Sequence, residues 1–265
     1  MPDTMPNAPD LVALYQRTSK HSNYQVLPPA LASLVSDSSI TVKSRFERER
    51  LRYILANVPV AGLSMADIGG NTGFFAFELI AHGASSVDYR EGNAAHHAFV
   101  TAAARQLGMS DRLRTQLGYV NFSASELPRT DCTLLLNVLH HLGDDFGDAL
   151  TAKAAAKDQM LSCLAQLART SAMLVFQLGF NWKGDRHLPL FEHGTKAEMI
   201  DFVRHGTAAD WDIASIGVAE RDGDAIDFRP LDSRNIARDD SLGEFLNRPL
   251  FIMRSRHIDM EGARP

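Results

Sequence analysis

Apolar positions along this chain follow two alternating rhythms. Short segments with apolar positions at strand spacing occur at "SMADI" (64–68), "SSVDYRE" (85–91), "LRTQLGYV" (113–120), "DCTLLLNV" (131–138), "SAMLVFQLGF" (171–180), "WDIASIGVAE" (211–220) and "PLFIMRS" (249–255). Each is short enough to be a strand, and the fourth has the near-continuous apolar character of a strand buried on both faces. Between them lie segments in which apolar residues recur every three or four positions: Thr72 to His82, Ala94 to Leu107, Asp148 to Arg169 and Thr195 to His205. These read as helices, and Gly83 and Gly108 stand where two of them should stop. Ahead of the first strand, "SRFERERLRYILANV" (44–58) gathers Phe46, Leu51, Ile54 and Leu55 on one face, with arginines and glutamates opposite. Ser44 and Glu47 have the spacing of a capping box for it.

Strands and helices alternating in this way predict an α/β fold, a doubly wound, mostly parallel seven-stranded sheet with helices on both faces. The last two strands have no helix between them, only "RDGDAIDFRPLDSRNIARDDSLGEFLN" (221–247), which reads as a loop insertion. They are expected to pair antiparallel and give the sheet an antiparallel edge strand. The chain divides into an N-terminal helical extension, 1–43, and a main domain, 44–265. Three prolines in the first ten residues point to a loose tail, followed by a short amphipathic helix at Leu11 to Gln16. The extension, with Tyr15, Tyr24 and the Pro28-Pro29 pair, is placed to close over a site as a lid or to mediate contacts in a homodimer.

Composition narrows the picture only a little. The 265 residues are 45% hydrophobic and 22% charged, with a net charge of −5 and a pI near 6.0. That is ordinary for a globular protein, and it offers no overall basic character to draw nucleic acid through counterion release. No apolar run is long enough to span a membrane, and the N-terminus lacks the charged start and apolar core of a secretory signal. Cys132 and Cys163 sit in apolar stretches without metal-ligand spacing, and read as reduced core thiols of a cytoplasmic protein.

The chemistry concentrates at "DIGGNTGFF", the join of the first strand and first helix. Such a join lies at the carboxyl edge of a doubly wound sheet, where ligands bind. Its glycines let backbone approach a ligand closely, and the helix start supplies N–H groups with no partner of their own. The G-G-x-x-G spacing differs from the G-x-G-x-x-G of dinucleotide sites, and no phosphate loop of the G-x-x-x-x-G-K type is present. Glu91 ends the second strand about twenty residues on, where a carboxylate accepts hydrogen bonds from ribose hydroxyls. By itself that suits NAD and any adenosine ligand equally.

At these residues the chain resembles the class I S-adenosylmethionine-dependent methyltransferases. "MADIGGNTGFF" matches the family's D-x-G-x-x-x-G motif through Asp67, Gly69 and Gly73, with Asn71 where glycine is common. Asparagine tolerates the left-handed region better than most residues, so the departure is mild. Glu91 matches the acid ending the family's second strand, and "DCTLLLNVLHHLGDD" its fourth-strand motif. The resemblance implies S-adenosyl-L-methionine as cofactor. It places Asp67, Gly69, Gly70, Asn71 and Gly73 around the methionine part, Glu91 on the ribose, Tyr119 and Val120 beside the adenine, and Asn137 beneath the sulfonium.

The acceptor side is less determined. His140 and His141 follow the fourth strand at the same edge, and an imidazole there can serve as general base or as a packed, hydrogen-bonded neutral group. Asp144 or Asp145 can orient a histidine, while Asp148 suits a helix cap. The family's metal-binding pattern is absent, so no metal is expected. In the loop after the fifth strand, Trp182 is placed to stack on an acceptor, and Lys183 and Arg186 to bind a carboxylate or phosphate. Lys43, Arg45 and Arg48 read as a solvated helix face. The expectation is a methyltransferase for a small-molecule acceptor of natural-product or sugar type. An RNA-modifying methyltransferase, an NAD-dependent oxidoreductase and a non-catalytic binding protein remain the rivals, and neither nucleic acid nor membrane is the expected partner.

Overall fold

The computed structural model describes residues 10–17, 25–32, 34–35, 44–123, 125–147 and 152–260. Tyr24, Lys43 and Asp148 lie outside these residues. Among the described residues seven α-helices, α1 (Leu11–Tyr15), α2 (Glu47–Asn57), α3 (Phe74–Ala81), α4 (Ala94–Gln106), α5 (Lys153–Leu167), α6 (Lys196–Gly206) and α7 (Gly243–Leu246), accompany eight strands. The strands are β1 (Ser64–Ile68), β2 (Ser86–Glu91), β3 (Leu113–Leu117), β4 (Thr130–Leu136), β5 (Ser171–Gln177), β6 (Trp211–Asp222), β7 (Ala225–Pro230) and β8 (Leu250–Ser255). They form one sheet in the order β3-β2-β1-β4-β5-β8-β6-β7. The first five pair in parallel. β8 inserts antiparallel between β5 and β6, and β7 pairs antiparallel with β6.

The sheet therefore has eight strands where seven are expected, and a block of antiparallel pairings where one edge strand is expected. The extra strand is "AIDFRP". Ile226 and Phe228 are buried and Asp227 and Arg229 less so, the alternation of a half-covered strand. Gly223 at φ 59° helps close the two-residue turn back from β6.

Period-2 alternation divides the core between the two faces of the sheet. Met173 and Val175 of β5 pack with residues of α2, α3 and α4, whereas Leu174 and Phe176 pack with α5 and α6. β4 is buried nearly throughout, as its near-continuous apolar run requires, and β5 is buried throughout. Cys132 and Cys163 are free and buried. Among the described residues no helix is long and apolar enough to cross a membrane.

α2 departs from a simple amphipathic reading. Leu51, Tyr53 and Ile54 are buried, but so are Glu47 and Arg50. Its start is also unlike a capping box: Phe46 precedes the helix at φ 57°, and Glu47, at the first helical position, accepts bonds from the Ser44 hydroxyl and the Arg45 N–H. The expected reciprocal box is found at α6 instead, between Thr195 and Glu198.

Candidate functional site

A cavity of about 410 Å³ opens at the carboxyl ends of β1, β2 and β4. That size lies in the usual range of about 300–1,000 Å³ for small-ligand and cofactor sites. The β1–α3 loop forms one wall. Gly69 (φ 72°), Asn71 (φ 52°) and Gly73 (φ 83°) all sit in the left-handed region. At Gly70 the constraint is space: a Cβ would stand 2.6 Å from the Tyr89 ring and 2.7 Å from Asp67 Oδ2. The loop is held from behind, since the Tyr89 hydroxyl donates to the Asn71 carbonyl and the Asn71 N–H donates to Glu91 Oε2 at 2.8 Å.

Two carboxylates face this wall. Glu91 also accepts from the Asn93 N–H at 2.7 Å. Burial raises its pKa, although the N–H groups of Asn93, Asn71 and Gly92 favour the charged form. Asp67 is 3% exposed. Burial first, and the nearby Glu91 charge second, push its pKa up to about 7 against the pull of the Ala76 N–H and Arg50. Among the described residues its Oδ2 has no hydrogen-bond partner. A buried carboxylate oxygen without a partner carries a desolvation cost that a donor or cation would offset.

The opposite wall is built from residues that no sequence motif marks as a site. Arg45, Glu47 and Arg50 from the α2 region and Phe245 and Arg248 from the segment before β8 all line the cavity. Arg45 thus belongs to the site, contrary to its expected place on a solvated face. Arg48 is exposed as expected. Gln25, from the N-terminal extension, lines the cavity too, and its Oε1 accepts from the Thr72 hydroxyl and Phe74 N–H, both at 3.3 Å. Tyr15 of α1 packs edge-on against Phe99 of α4, 5.3 Å between centroids. The described part of the extension is thereby bonded to the loop and packed on the domain.

Asn137 (φ 61°) lines the cavity, but its side chain is fully engaged. Its Nδ2 donates to Gln177 Oε1 at 2.9 Å and its Oδ1 accepts from Arg248 at 2.7 Å. Tyr119 and Val120 line the cavity near Glu91, with Tyr119 61% exposed and stacked on Phe146 at 6.4 Å.

Both histidines reach the cavity despite adjacency, their ring centroids 4.2 Å apart. His140 is buried, and its Nδ1 accepts the Gly179 N–H at 3.3 Å. His141 Nδ1 lies 3.1 Å from Asp145 Oδ2. His141, Asp144 and Asp145 have ligand atoms within 4.8 Å of one another, a grouping that a salt-bridged surface turn also produces.

The loop after β5 does not deliver its expected contacts. Trp182 is 4% exposed in the hydrophobic core, its Nε1 donating to the Leu142 carbonyl at 2.8 Å. Lys183 folds over the Trp182 ring and Arg186 is exposed. None of the three lines the cavity, to which this loop contributes Gly184.

No protein-family model and no curated protein sequence matches the chain. Solved structures do. WbdD, a bifunctional kinase-methyltransferase, superposes with a TM-score of 0.59 at 15% identity in its complex with a kinase inhibitor, over 92% of this chain and 47% of that one. A second WbdD structure gives 0.57 at 14% identity, over 92% and 46%. This chain therefore spans about half the length of WbdD. Magnesium protoporphyrin IX methyltransferase from Synechocystis PCC 6803, with S-adenosylmethionine bound, reaches a TM-score of 0.45 at 12% identity over 78% of this chain and 76% of that one, a general resemblance only. The sheet order, the glycine loop at the carboxyl edge and the WbdD superposition agree: the chain has the class I methyltransferase fold.

Proposed function

We propose that this protein is an S-adenosylmethionine-dependent methyltransferase acting on a small molecule. One observation carries the reading: the Gly-loop, Glu91 and the open Oδ2 of Asp67 converge on one cavity. A cofactor with a ribose diol and a zwitterionic amino-acid end matches that donor set. Glu91 would hold the ribose, and Asp67 the α-ammonium beside the backbone of Gly69 and Gly70. Tyr119, Val120 and Phe146 would flank the adenine. Gly70 would keep the loop packed against Tyr89 and Asp67, because a Cβ there would collide with both.

Bound there, the cofactor would supply an electrophilic methyl group on a sulfonium. The residues of this chain then have to align the acceptor, keep water out and take a proton. His141 is the proposed base. Asp145 beside Nδ1 favours the tautomer with Nε2 free, and stabilises the imidazolium once a proton arrives. His140 is assigned a positioning role, because its Nδ1 is occupied by the Gly179 N–H and its neutral ring then carries the proton on Nε2. Gln25 supports a lid role for the extension, as it spans from that segment to the N-terminus of α3.

The small-molecule choice rests on the cavity size and on the absence of overall positive charge. Calorimetric titration with S-adenosylhomocysteine and with NAD tests the cofactor. Saturable one-to-one binding of the first and none of the second is expected, and the reverse pattern would assign the site to an oxidoreductase. A parallel titration with tRNA at several salt concentrations tests the acceptor class; salt-sensitive tight binding would overturn the small-molecule reading.

A further inference from the structure

Among the described residues of the N-terminal extension, Gln25 alone lines the cavity. Its position is fixed from several sides. The Tyr15 hydroxyl donates to the Gln25 carbonyl at 3.4 Å, and the Tyr15 ring packs on Phe99 of α4. Leu11 and Leu31, before and after it in the chain, are buried in the same core as Phe99. The extension therefore delivers this side chain to the cavity across the outside of α3 and α4.

The Gln25 amide also has a fixed sense. A primary amide offers an oxygen that accepts and a nitrogen that donates, and the two are told apart by what they meet. The Phe74 N–H can only donate, so the amide atom 3.3 Å from it is the oxygen. The Thr72 hydroxyl donates to the same oxygen at 3.3 Å. Among the described residues both hydrogen bonds of the amide fall on Oε1, which leaves the two Nε2 donors for whatever fills the cavity. A second, independent observation lies on the same turn of α3. Asp67 accepts the Ala76 N–H, two residues after Phe74, and is 3% exposed with Oδ2 unpartnered among the described residues. A buried acceptor and a pair of amide donors thus meet at one helical turn. Together they complement a group that carries a cation beside an anion, such as the ammonium and carboxylate of an α-amino acid.

We propose that Gln25 binds the carboxylate of the cofactor's amino-acid end through Nε2, beside the ammonium assigned to Asp67. The extension then makes the site selective for a nucleoside that carries an intact amino acid. A hydrogen bond from an amide to a carboxylate is charge-assisted, and stronger than a neutral one. The coupling is reciprocal: a ligand that holds Gln25 also holds the extension against the domain. The inference rests on the methyltransferase reading for the identity of the ligand.

Calorimetric titration of the full chain with S-adenosylhomocysteine and with 5′-methylthioadenosine, which shares the adenosine and the sulfur but lacks the amino acid, tests it. The unmutated protein should bind the first about tenfold or more tightly than the second. Gln25→Ala should weaken S-adenosylhomocysteine by about fivefold or more and methylthioadenosine by less than about twofold. Gln25→Glu keeps an acceptor for the Phe74 N–H, and a carboxylate suits a helix N-terminus, so a merely structural role would survive it. Because it exchanges the amide donors for a charge that repels a carboxylate, it should instead lose about tenfold or more in S-adenosylhomocysteine affinity. Amide hydrogen exchange at residues 25–32 should slow on adding S-adenosylhomocysteine and stay unchanged on adding methylthioadenosine. Equal losses for the two ligands in Gln25→Ala, or unchanged S-adenosylhomocysteine affinity in Gln25→Glu, would reduce Gln25 to a support for the loop and overturn the proposal. Equal affinity of the two ligands for the unmutated protein would overturn it while leaving the adenosine site standing. Failure of both to bind the unmutated protein would overturn the cofactor reading and this inference together.

Discussion

Asp67→Asn should make this protein more stable and a worse receptor for its cofactor, and the two effects should separate by pH. Burial raises the Asp67 pKa from 3.8 to about 7 in the folded chain, a shift on the order of 3 units. Between those values the folded state holds a proton on Asp67 that the unfolded state has lost, so stability contributed by this group falls as pH rises from about 4 to about 7. At about 1.4 kcal/mol per unit the full penalty is on the order of 4 kcal/mol. Asparagine preserves the shape and cannot ionise. The stability difference, variant minus parent, should therefore be small near pH 4.5 and grow toward a few kcal/mol by pH 7.5. Glu91 and Glu47 also have raised pKa values, but they occur in both proteins and largely cancel in the difference. Loss of Asp67 repulsion on Glu91 adds in the same direction. Urea unfolding followed by the fluorescence of Trp182 and Trp211, both buried, reads the transition. A difference that stays flat with pH, or shrinks as pH rises, would refute the reasoning. Over the same range, S-adenosylhomocysteine affinity of the unmutated protein should weaken by up to about tenfold per unit below pH 7, as protonation removes the receptor charge. The variant should bind weakly and without that pH dependence.

Other outcomes follow from the same geometry. Glu91→Gln should weaken S-adenosylhomocysteine binding by about tenfold or more while leaving the fold intact, as a charge-assisted acceptor is lost; unchanged affinity by calorimetry would undo the ribose assignment. Gly70→Ala should abolish that binding and destabilise the chain by about 1–3 kcal/mol, because its Cβ would meet Tyr89 at 2.6 Å; a stable variant with normal affinity would show that the loop is not a close-fitting wall. Trp182→Phe orphans the buried Leu142 carbonyl and should cost about 1–3 kcal/mol in urea unfolding with cofactor affinity unaltered. A stability-neutral Trp182→Phe would return that residue to the candidates for acceptor contact.

The parallel half of the sheet was legible because each strand and helix announces itself locally and right-handed crossovers leave little choice of order. In the antiparallel half, the pairing of the two late strands was legible from the missing helix between them, but their place in the sheet was not. Whether β8 enters between β5 and β6 depends on pairings between distant segments, which no local periodicity carries. β7 was readable in hindsight from the spacing of Ile226 and Phe228, but the charged residues around them masked it. At the site, the glycine loop and Glu91 could be found because ligand chemistry and secondary-structure signals coincide within one β-α-β stretch. Arg45, Glu47 and Arg50 were hidden for a physical reason: charged residues on an amphipathic helix normally face water, and only the packing of the segment around Phe245 against them makes an interior. Gln25 comes from a segment with no pattern of its own. Trp182 was misplaced because an aromatic in a carboxyl-edge loop has two uses, and the need of the Leu142 carbonyl for a donor selects the structural one.

The central claim is that the cavity built on Asp67, Gly70 and Glu91 is an S-adenosylmethionine site. The most direct measurement is calorimetric titration of the full chain with S-adenosylhomocysteine at pH 8, where Asp67 is ionised. The account predicts saturable one-to-one binding that Glu91→Gln weakens by about tenfold or more. A flat titration of the folded, unmutated protein would contradict it.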